Sequence, residues 1–265
     1  MRMMTCNVRF SAATDGDDSW PYRKALCFDV IRSRAPDVVG FQEVMQDQLV
    51  ELREAFPDYD WAGMTRSPGS RDVPNAIFYR REAFALVSAG GYWLSETPHV
   101  PGSSSWASAD VRLANWVVLE DRSTGRELRV VNTHLDHVSQ PARENQARLI
   151  AEDARAFPDA YAQVLTGDMN CDGRNAAIRI LKEAGWRDSY EAVHGAGDPG
   201  PTYHEFRGPA HRSELGKIDW VFVRGAVRVL DAEIITDSRN GRYPSGGRYP
   251  SDHYFVSAEI ELAAS

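Results

Sequence analysis

The 265-residue sequence predicts an α/β sandwich, and three features of its patterning carry that prediction. Helix-like and strand-like segments interleave along the chain. Four strand-like segments follow one another in its middle, which favours antiparallel pairing over a regular βαβ winding: NAIFYRR, FALVSAGGYWL, ANWVVLEDR and ELRVVNTHL. The chain has no repeat, low-complexity segment or obvious linker, and 43% of its residues are hydrophobic, so we expect a single domain over residues 1–265.

The first part of the chain predicts two strands and two helices. MRMMTCNVRF is typical of a strand, and VVGFQEV is typical of a short buried one. Between them, apolar residues at helical spacing indicate a helix from about Pro21 to Arg34: Leu26, Cys27, Val30 and Ile31. Leu49, Leu52 and Phe56 mark a second helix, which ends at Pro57.

The remainder of the chain predicts two further helices between strands. RSTG predicts a hairpin turn before ELRVVNTHL. A third helix runs from about Pro141 to Phe157, because proline suits the first turn and an apolar stripe follows it. AQVLTGDMN is a buried strand, and AAIRILKEAGW is a fourth helix with Gly185 as its C-terminal cap. KIDWVFV, VLDAEIIT and HYFVSAEI are the closing strands.

The charge balance is acidic, with 38 Asp and Glu residues against 30 Lys and Arg and a formal net charge of -8. Because no basic excess is available to neutralise backbone phosphates, this balance does not favour a long polyanion as the partner. It leaves room for a small phosphorylated ligand that a metal ion and a few cationic groups hold locally.

The cysteines and the opening residues favour an intracellular location. Cys6, Cys27 and Cys171 are an odd, sparse set without zinc-ligand spacing, which indicates reduced thiols and a cytoplasmic protein. The opening MRMMTCNVRF lacks the long apolar segment of a signal peptide. No run approaches the roughly 18 apolar residues of a membrane span.

Polar side chains of metal-binding and catalytic types stand at the ends of the predicted strands or within them. They are Asn7, Glu43, His134, Asp136, Asp168, Asn170, Asp219, Asp252 and His253. Side chains two apart on a strand share a face, so Asp168 and Asn170 are expected to point the same way. Carboxylate and carboxamide oxygens suit Mg²⁺ or Mn²⁺ rather than zinc. Together with an imidazole and a buried carboxylate, they predict phosphoryl-transfer chemistry.

Each of these residues also has a structural interpretation when it is taken alone. GDMN is compatible with a turn stabilised by Asx hydrogen bonds. Asp252 is compatible with a strand cap, and His134 with a hydrogen-bonded structural histidine. Glu43 is compatible with a surface position, and Asn7 with satisfying neighbouring backbone groups. Asp219 differs, because a carboxylate within the apolar segment KIDWVFV is costly to bury without a cation or an imidazole.

Six motifs in order give the chain a family resemblance over residues 1–260. They are TCNVRF, GFQEV, NTHLDH, LTGDMNCD, KIDWVFV and YPSDHYFVSAEI. The set resembles the endonuclease/exonuclease/phosphatase superfamily, the DNase I-like proteins. The resemblance implies a single-domain, four-layer α/β/β/α sandwich of two mixed, mainly antiparallel sheets, with the site at one edge.

The resemblance also implies roles for the strand-end residues. By motif, Glu43 resembles the principal ligand of one or two Mg²⁺ or Mn²⁺ ions. Asn7 resembles a second ligand or a water-mediated contact. Asp252 resembles a further ligand or polarising group.

Five further residues take catalytic roles by the same resemblance. Asp168 resembles the group that aligns the attacking water, and Asn170 a phosphate or metal contact. His134 stands where the family places a phosphate-binding side chain. His253 resembles the catalytic imidazole, oriented by Asp219.

A narrower likeness is to a bacterial branch that carries YWLSETP followed by SSW and an arginine. It implies four pocket residues: Trp93, Glu96, Trp106 and Arg112. Arg112 is suited to contact phosphate bidentately, and core packing is the alternative for the two tryptophans. His204 in PTYHEF is a further pocket candidate, with a structural loop histidine as the alternative.

These observations predict a metal-dependent enzyme that hydrolyses phosphoesters, with a small phosphorylated compound or a phosphodiester headgroup as substrate. The first alternative is an endonuclease or 3′ exonuclease acting on DNA or RNA. It predicts that loop arginines converge on the site: Arg66, Arg71, Arg174, Arg242 and Arg248. A non-catalytic scaffold of the same fold is a second alternative, and it predicts missing catalytic groups.

Overall fold

Two six-stranded sheets build the centre of the protein in the computed structural model, which describes residues 1–239 and 248–263. The strands of the first sheet are β1 (Arg2–Asn7), β2 (Val38–Gln42), β3 (Tyr59–Ala62), β4 (Ile77–Arg80), β11 (Val227–Ile235) and β12 (Phe255–Leu262). Their spatial order is β11-β12-β1-β2-β4-β3. Only β1 and β2 among these neighbours pair in parallel.

The second sheet has the spatial order β5-β6-β7-β8-β10-β9. Its strands are β5 (Phe84–Trp93), β6 (Leu113–Asp121), β7 (Glu127–His134), β8 (Gln163–Asp168), β9 (Arg187–Asp188) and β10 (Asp219–Arg224). The pair β7 and β8 is parallel, and the other neighbours are antiparallel. Both sheets are therefore mixed and mainly antiparallel.

Helices cover the outer faces of both sheets. They are α1 (Trp20–Arg34), α2 (Gln46–Ala55), α3 (Gln140–Arg155) and α4 (Ala176–Glu183). The short α5 (Ser189–His194) instead contacts β11 of one sheet and β10 of the other. Leu26 of α1 and Leu52 of α2 join one buried cluster with Phe41 of the first sheet. Ile150 of α3 and Ile178 of α4 belong to a second cluster on the other sheet.

A third cluster, of aliphatic residues from both sheets, fills the space between them. Val38 of β2, Val164 of β8 and Val256 of β12 are all fully buried there. Burying each such side chain contributes roughly 1.5–3 kcal/mol. The result is the four-layer α/β/β/α sandwich that the sequence motifs imply.

A glycine lets the two sheets approach closely beneath the site edge. A Cβ at Gly40 of β2 would lie 2.1 Å from Oγ1 of Thr166 and 2.6 Å from Oδ1 of Asn132, both in the opposite sheet. In this narrow space Gln42 Nε2 donates to Asn132 Oδ1 at 2.7 Å. Asn132 Nδ2 donates in turn to the carbonyl oxygen of Phe41 at 2.7 Å. These bonds satisfy buried polar groups and fix the register of one sheet on the other.

The sequence patterns predict most elements correctly. The hairpin turn before β7 and the glycine cap of α4 are confirmed, with Gly185 at φ +91°. Of the four middle segments, three pair antiparallel as β5, β6 and β7, whereas NAIFYRR forms β4 in the other sheet. The last strand is an exception, because β12 begins at Phe255 and the segment with Asp252 and His253 precedes it. The strands β3 and β9 and the helix α5 are not predicted.

All three cysteines are buried free thiols. Over residues 1–239 and 248–263, no helix combines the length and apolarity needed to cross a membrane.

The topology brings distant parts of the chain to one edge. The parallel strands β1 and β2 end together, with Asn7 paired to Gln42. The parallel strands β7 and β8 also end together, with His134 paired to Asp168. Antiparallel β10 begins at the same level, so Asp219 lies opposite Asp168. Five strand termini thus deliver polar side chains to one place.

Candidate active site

Asn7 at the end of β1 connects the two sheets at this edge. Its Nδ2 donates to Oδ2 of Asp168 at 2.9 Å and to Oε1 of Glu43 at 3.1 Å. Asn7 and Asp168 are buried, and Glu43 is half-buried. Two carboxylates from different sheets therefore face the same amide group.

Left-handed backbone conformations place two of the predicted site residues. Glu43 has φ +65° directly after β2, and Asn170 has φ +50° two residues after β8. This conformation is uncommon for residues other than glycine, and asparagine tolerates it better than glutamate does. The strand-face argument for Asp168 and Asn170 is wrong, because β8 ends at Asp168. A turn joins them instead, in which the Asn170 N–H donates to Oδ1 of Asp168 at 2.8 Å.

His253 and Asp219 form a buried hydrogen-bonded pair. Nδ1 of His253 lies 2.9 Å from Oδ2 of Asp219. The Nε2 atom faces the centre of the site, 3.8 Å from Oδ2 of Asp168. Burial alone would lower the pKa of His253, but the carboxylates of Asp219 and Asp168 outweigh it and raise that pKa well above its usual range. The imidazole is therefore held as an imidazolium.

Asp168 lies at the centre of these contacts. Burial and the nearby Asp219 carboxylate raise the pKa of Asp168 to about 7. The positive charge of His253 and the donors of Asn170 and Asn7 oppose that rise. A carboxylate with a pKa near neutrality is suited to exchange a proton during a reaction.

His134 at the end of β7 is held neutral beside Asn170. Burial lowers the pKa of His134 well below its usual range, and the positive charge of Arg112 acts in the same direction. The Asn170 Nδ2 atom donates to the carbonyl oxygen of Leu135 at 3.0 Å and lies 2.8 Å from Nε2 of His134. Nε2 therefore accepts, and the proton of the neutral ring is on Nδ1. The Asp136 side chain does not reach this site, because it accepts from the backbone of Ala109, Val138 and Ser139.

The donor groups at this edge fit a hard divalent cation. The buried residues Asp168, Asp219 and His253 form a group whose ligand atoms lie within 4.8 Å of one another. The 2.9 Å contact between His253 and Asp219 leaves no room for an ion between those two atoms. The carboxylates of Glu43 and Asp252 add oxygen donors in the same cleft. Oxygen donors of this kind are the ligands that Mg²⁺ and Mn²⁺ prefer.

A cleft of about 670 Å³ opens over these residues. Its lining includes three arginines: Arg9, Arg66 and Arg112. The Arg112 side chain is only 10% exposed, and among the described residues its one hydrogen bond joins Nη2 to Nδ1 of His137 at 3.1 Å. Carboxylates of Asp110 and Asp136 lie 3.7 and 4.0 Å from its guanidinium. The buried Nε atom of Arg112 has no hydrogen-bond partner within the described residues. A guanidinium with five N–H donors is thus largely unfilled at the wall of the cleft.

Comparisons with known proteins show to which family the chain belongs. Residues 4–253 match the sequence profile of the endonuclease/exonuclease/phosphatase family. The chain belongs to this family. An endonuclease/exonuclease/phosphatase from Bacteroides vulgatus is 31% identical, with a TM-score of 0.86 and 98% of each chain covered. A mannosyl-6-phosphatase from Bacteroides thetaiotaomicron is 30% identical, with a TM-score of 0.89 and coverage of 98% of this chain and 99% of that one.

The amino-acid sequence is also similar, at lower identity, to that of a fungal nuclease. The CCR4-Not complex 3'-5'-exoribonuclease subunit Ccr4 of Aspergillus clavatus is 26% identical over 189 residues, which are 63% of this chain. The match spans only 27% of the length of that relative.

The endonuclease/exonuclease/phosphatase domain places three of the predicted pocket residues away from the cleft lining. The indole Nε1 of Trp93 donates to the carbonyl oxygen of Arg66 at 2.8 Å. Glu96 is exposed. The carbonyl oxygen of Trp106 accepts from Ser139 Oγ at 2.7 Å. The motif that contains these residues builds the loop before β6, and Arg112 is its member that lines the cleft.

His204 is also absent from the cleft lining. Its ring packs against Tyr249 and Tyr254, with centroids 4.7 and 4.1 Å apart. Burial lowers the pKa of His204 to about 3. The structure favours the structural alternative for this histidine, because its ring packs against two tyrosines.

The loop arginines do not converge on the cleft as the nuclease alternative predicts. Arg66 lines it, whereas Arg71, Arg174 and Arg248 do not. Arg174 instead pairs with the buried Asp172. Arg242 lies outside the described residues.

Two arginines of the site are not found by the sequence reasoning. Arg9 lines the cleft from a left-handed conformation at φ +56°. Arg23 of α1 is fully buried, and its guanidinium donates to the carbonyl oxygens of Arg9, Asp18 and Pro250 at 2.8–3.0 Å. Pro250 leads into the segment that carries His253, so Arg23 ties both loops to the helix. Arginine is usually exposed, so the amphipathic pattern of the helix predicts that Arg23 faces solvent and does not indicate its contacts with the loop carbonyl oxygens.

Proposed function

We propose that this protein is a metal-dependent phosphomonoesterase that acts on a small phosphorylated compound, foremost a sugar phosphate. The unfilled Arg112 guanidinium, which shares one cleft with Asp168 and the His253–Asp219 pair, is the observation that carries the proposal. Arginine matches the geometry of phosphate oxygens bidentately. The pair and Asp168 supply the proton-transfer and charge-stabilising groups.

Asp168 is the base in the proposed reaction. It accepts a proton from the attacking water, and its raised pKa of about 7 suits that task near neutral pH. The His253 Nε2 atom lies 3.8 Å from Asp168 and hence on the side of the water. Since the alcohol leaves from the opposite side in an in-line displacement, His253 stabilises the phosphoryl oxygens, and the oxygen released when the P–O bond breaks takes its proton from solvent water. Asn170 fixes the neutral His134 ring through its Nδ2 atom, which leaves the Nδ1 proton of His134 as the donor to the phosphoryl oxygens.

Glu43, with Asn7 and Asp252, would hold the Mg²⁺ or Mn²⁺ ion or ions. When bound, such a cation offsets the charge of the phosphoryl oxygens and lowers the pKa of a coordinated water. The arrangement of Asn7 between Glu43 and Asp168 supports this assignment, because it orients two carboxylates from different sheets toward one point. Asp252, whose pKa is raised by burial, is stabilised in its ionised form by a nearby cation.

Three observations support a small substrate over a nucleic acid. The cleft of about 670 Å³ has the size of small-molecule sites. The net charge is -8, and Arg71, Arg174 and Arg248 lie off the cleft lining. The Bacteroides thetaiotaomicron relative, similar over nearly its whole length, is a mannosyl-6-phosphatase.

An activity screen tests the proposal. The purified chain is assayed with Mg²⁺ or Mn²⁺ against mannose 6-phosphate, glucose 6-phosphate, a bis-aryl phosphodiester, lipid headgroups, and single- and double-stranded nucleic acids. We expect hydrolysis of the sugar phosphates at the highest kcat/KM, and its loss in His253→Ala. Turnover confined to nucleic acids would establish the nuclease alternative. No metal-dependent turnover of any ester would refute the proposal.

A further inference from the structure

One wall of the cleft carries a carboxylate among three basic side chains. Oδ2 of Asp110 lies 3.7 Å from Nη2 of Arg112 and 3.9 Å from Nδ1 of His137. Oδ1 of Asp110 lies 4.0 Å from Nη1 of Arg66. The two arginine separations are ion pairs beyond hydrogen-bonding distance, and Nδ1 of His137 accepts from Nη2 of Arg112 instead of pairing with Asp110. All four residues line the cleft that holds Asp168 and His253.

This wall therefore has both acceptors, on the Asp110 carboxylate, and donors, on the arginine guanidiniums, that are free to bind a ligand. Across residues 1–239 and 248–263, no donor is within hydrogen-bonding distance of the Asp110 carboxylate. The buried Nε atom of Arg66 is likewise without an acceptor there, whereas that of Arg112 faces Oδ2 of the buried Asp136 at 4.0 Å. The Asp110 and Arg66 side chains are 44% and 42% exposed, so both are open to the hydroxyl groups of a polar ligand that enters the cleft.

A fixed scaffold holds this wall in place. The fully buried Asp136 accepts from Ser108 Oγ at 3.0 Å and from the Ala109 N–H at 2.8 Å. On its other side it accepts from the Val138 and Ser139 N–H groups at 3.0 and 2.6 Å. This carboxylate clamps the loop before β6 onto the start of α3. Asp110 is thus presented by a loop that is pinned directly beside it, which reduces the ordering cost of binding.

We propose that Asp110, with Arg66, binds hydroxyl groups of the sugar part of the substrate beside the phosphate at Arg112, and that Asp110 determines the preference for sugar phosphates. This inference rests on the proposed function. A hydroxyl both donates and accepts, so it can fill the Asp110 carboxylate and a guanidinium together. A second phosphate fits less well, because the Asp110 charge offsets one of the two guanidiniums and repels an anion. Asp110 acts here through binding and leaves the chemistry to Asp168 and His253.

The test compares two substrates that share the phosphoryl group and differ in the alcohol. Mannose 6-phosphate presents hydroxyls, whereas 4-nitrophenyl phosphate presents none. In Asp110→Ala we expect the ratio of their kcat/KM values to fall at least tenfold, mainly through a higher KM for the sugar phosphate. The isosteric Asp110→Asn should show a smaller fall, since it keeps one acceptor. Asp60→Asn, a change at a similarly exposed Asp that pairs with Arg81 away from the cleft, should keep the wild-type ratio.

The outcomes separate this inference from the proposed function. An unchanged ratio in a folded Asp110→Ala variant would overturn the role of Asp110 while phosphoesterase activity stands. A lower KM of Asp110→Asn for a sugar bisphosphate, together with an unchanged ratio, would show that the wall binds a second anion instead. If the wild-type protein cleaves neither ester with Mg²⁺ or Mn²⁺, the proposed function fails and this inference fails with it.

Discussion

Nδ1 of His253 donates a 2.9 Å hydrogen bond to Oδ2 of Asp219, and both side chains are buried. Asp219 is itself fixed through its backbone N–H, which donates to Thr202 Oγ1 at 3.1 Å. The bond orients the ring so that Nε2 faces Asp168. It also favours the charged ring, because a buried carboxylate stabilises an imidazolium. One contact thus sets both the direction and the charge of the proposed catalytic imidazole.

Replacing Asp219 by Asn is expected to lower kcat by roughly 100-fold or more, equivalent to about 2.7 kcal/mol. The amide keeps the shape of the side chain but removes the charge that stabilises the imidazolium. Steady-state kinetics on the best substrate of the screen would measure the loss. His253→Ala should lower kcat at least as far.

The double variant of Asp219 and His253 separates a shared role from two independent ones. If Asp219 acts through His253, the double variant should be no slower than His253→Ala alone. Additive losses, or wild-type kcat in a folded Asp219→Asn protein, would contradict the pairing.

Glu43→Ala is expected to abolish the thermal stabilisation that Mg²⁺ or Mn²⁺ gives the wild-type protein. A ligand that binds only the folded state raises stability by RT ln(1 + [L]/Kd), so loss of a ligand residue removes that gain. Melting temperatures with EDTA and across a metal titration would measure it. Turnover should stop in EDTA and return with the metal in the wild type.

The matched control for this prediction is Glu51→Gln. Glu51 pairs with Lys24 and accepts from the indole of Trp20, away from the cleft lining. Its substitution should leave the metal-dependent shift in place. A full shift in Glu43→Ala would remove Glu43 from the metal site, and turnover in EDTA would remove the metal from the mechanism.

The strands and their polar ends could be predicted from the sequence because they depend on short-range patterns. An apolar segment that ends at a carboxylate can be recognised in the sequence, as at Asp168. Six such motifs in order indicate the family. β3 was not predicted because all four of its residues are only half-buried, so the segment lacks a clear alternation of apolar and polar residues. The two-residue β9 is too short to have a pattern at all.

The geometry of the site could not be predicted, because long-range contacts and turn conformations fix it. Nothing near Asn7 in the sequence indicates that its amide would join Glu43 to Asp168 across two sheets. Glu43 and Asn170 adopt left-handed backbone conformations. The two-residue alternation of a β-strand therefore does not predict where their side chains lie. Trp93 was assigned to the pocket from its motif, but that motif encodes the loop that supports the wall.

Arg23→Met is expected to lower the free energy of unfolding by about 3 kcal/mol or more. The change leaves three carbonyl oxygens without their donors, and each unsatisfied buried group costs about 1–3 kcal/mol. It should also lower kcat, since Arg23 ties the loop of Arg9 to the segment that leads into His253. Urea unfolding and steady-state kinetics on the same preparation would measure both effects.

A second arginine of α1 provides the control for Arg23. The Arg32 side chain is 51% exposed, pairs with Asp29 at 3.7 Å and donates to the carbonyl oxygen of Ala55 at 2.9 Å. Because solvent already reaches these groups, Arg32→Met should cost clearly less stability than Arg23→Met. Equal losses in the two variants would show that burial of Arg23 is not what matters.

His204 should make the protein less stable in acid. Its pKa is lowered to about 3 by burial, against an ordinary value of 6.5, so the unfolded chain binds a proton that the folded protein rejects. Stability from this residue is complete above pH 6.5 and falls as the pH drops toward 3, by about 2 kcal/mol between pH 7 and pH 5. Urea unfolding at both pH values would show the loss in the wild type and a smaller one in His204→Gln, whose amide does not titrate. An identical loss in both proteins would mean that His204 is protonated in the fold or that its burial is not maintained in solution.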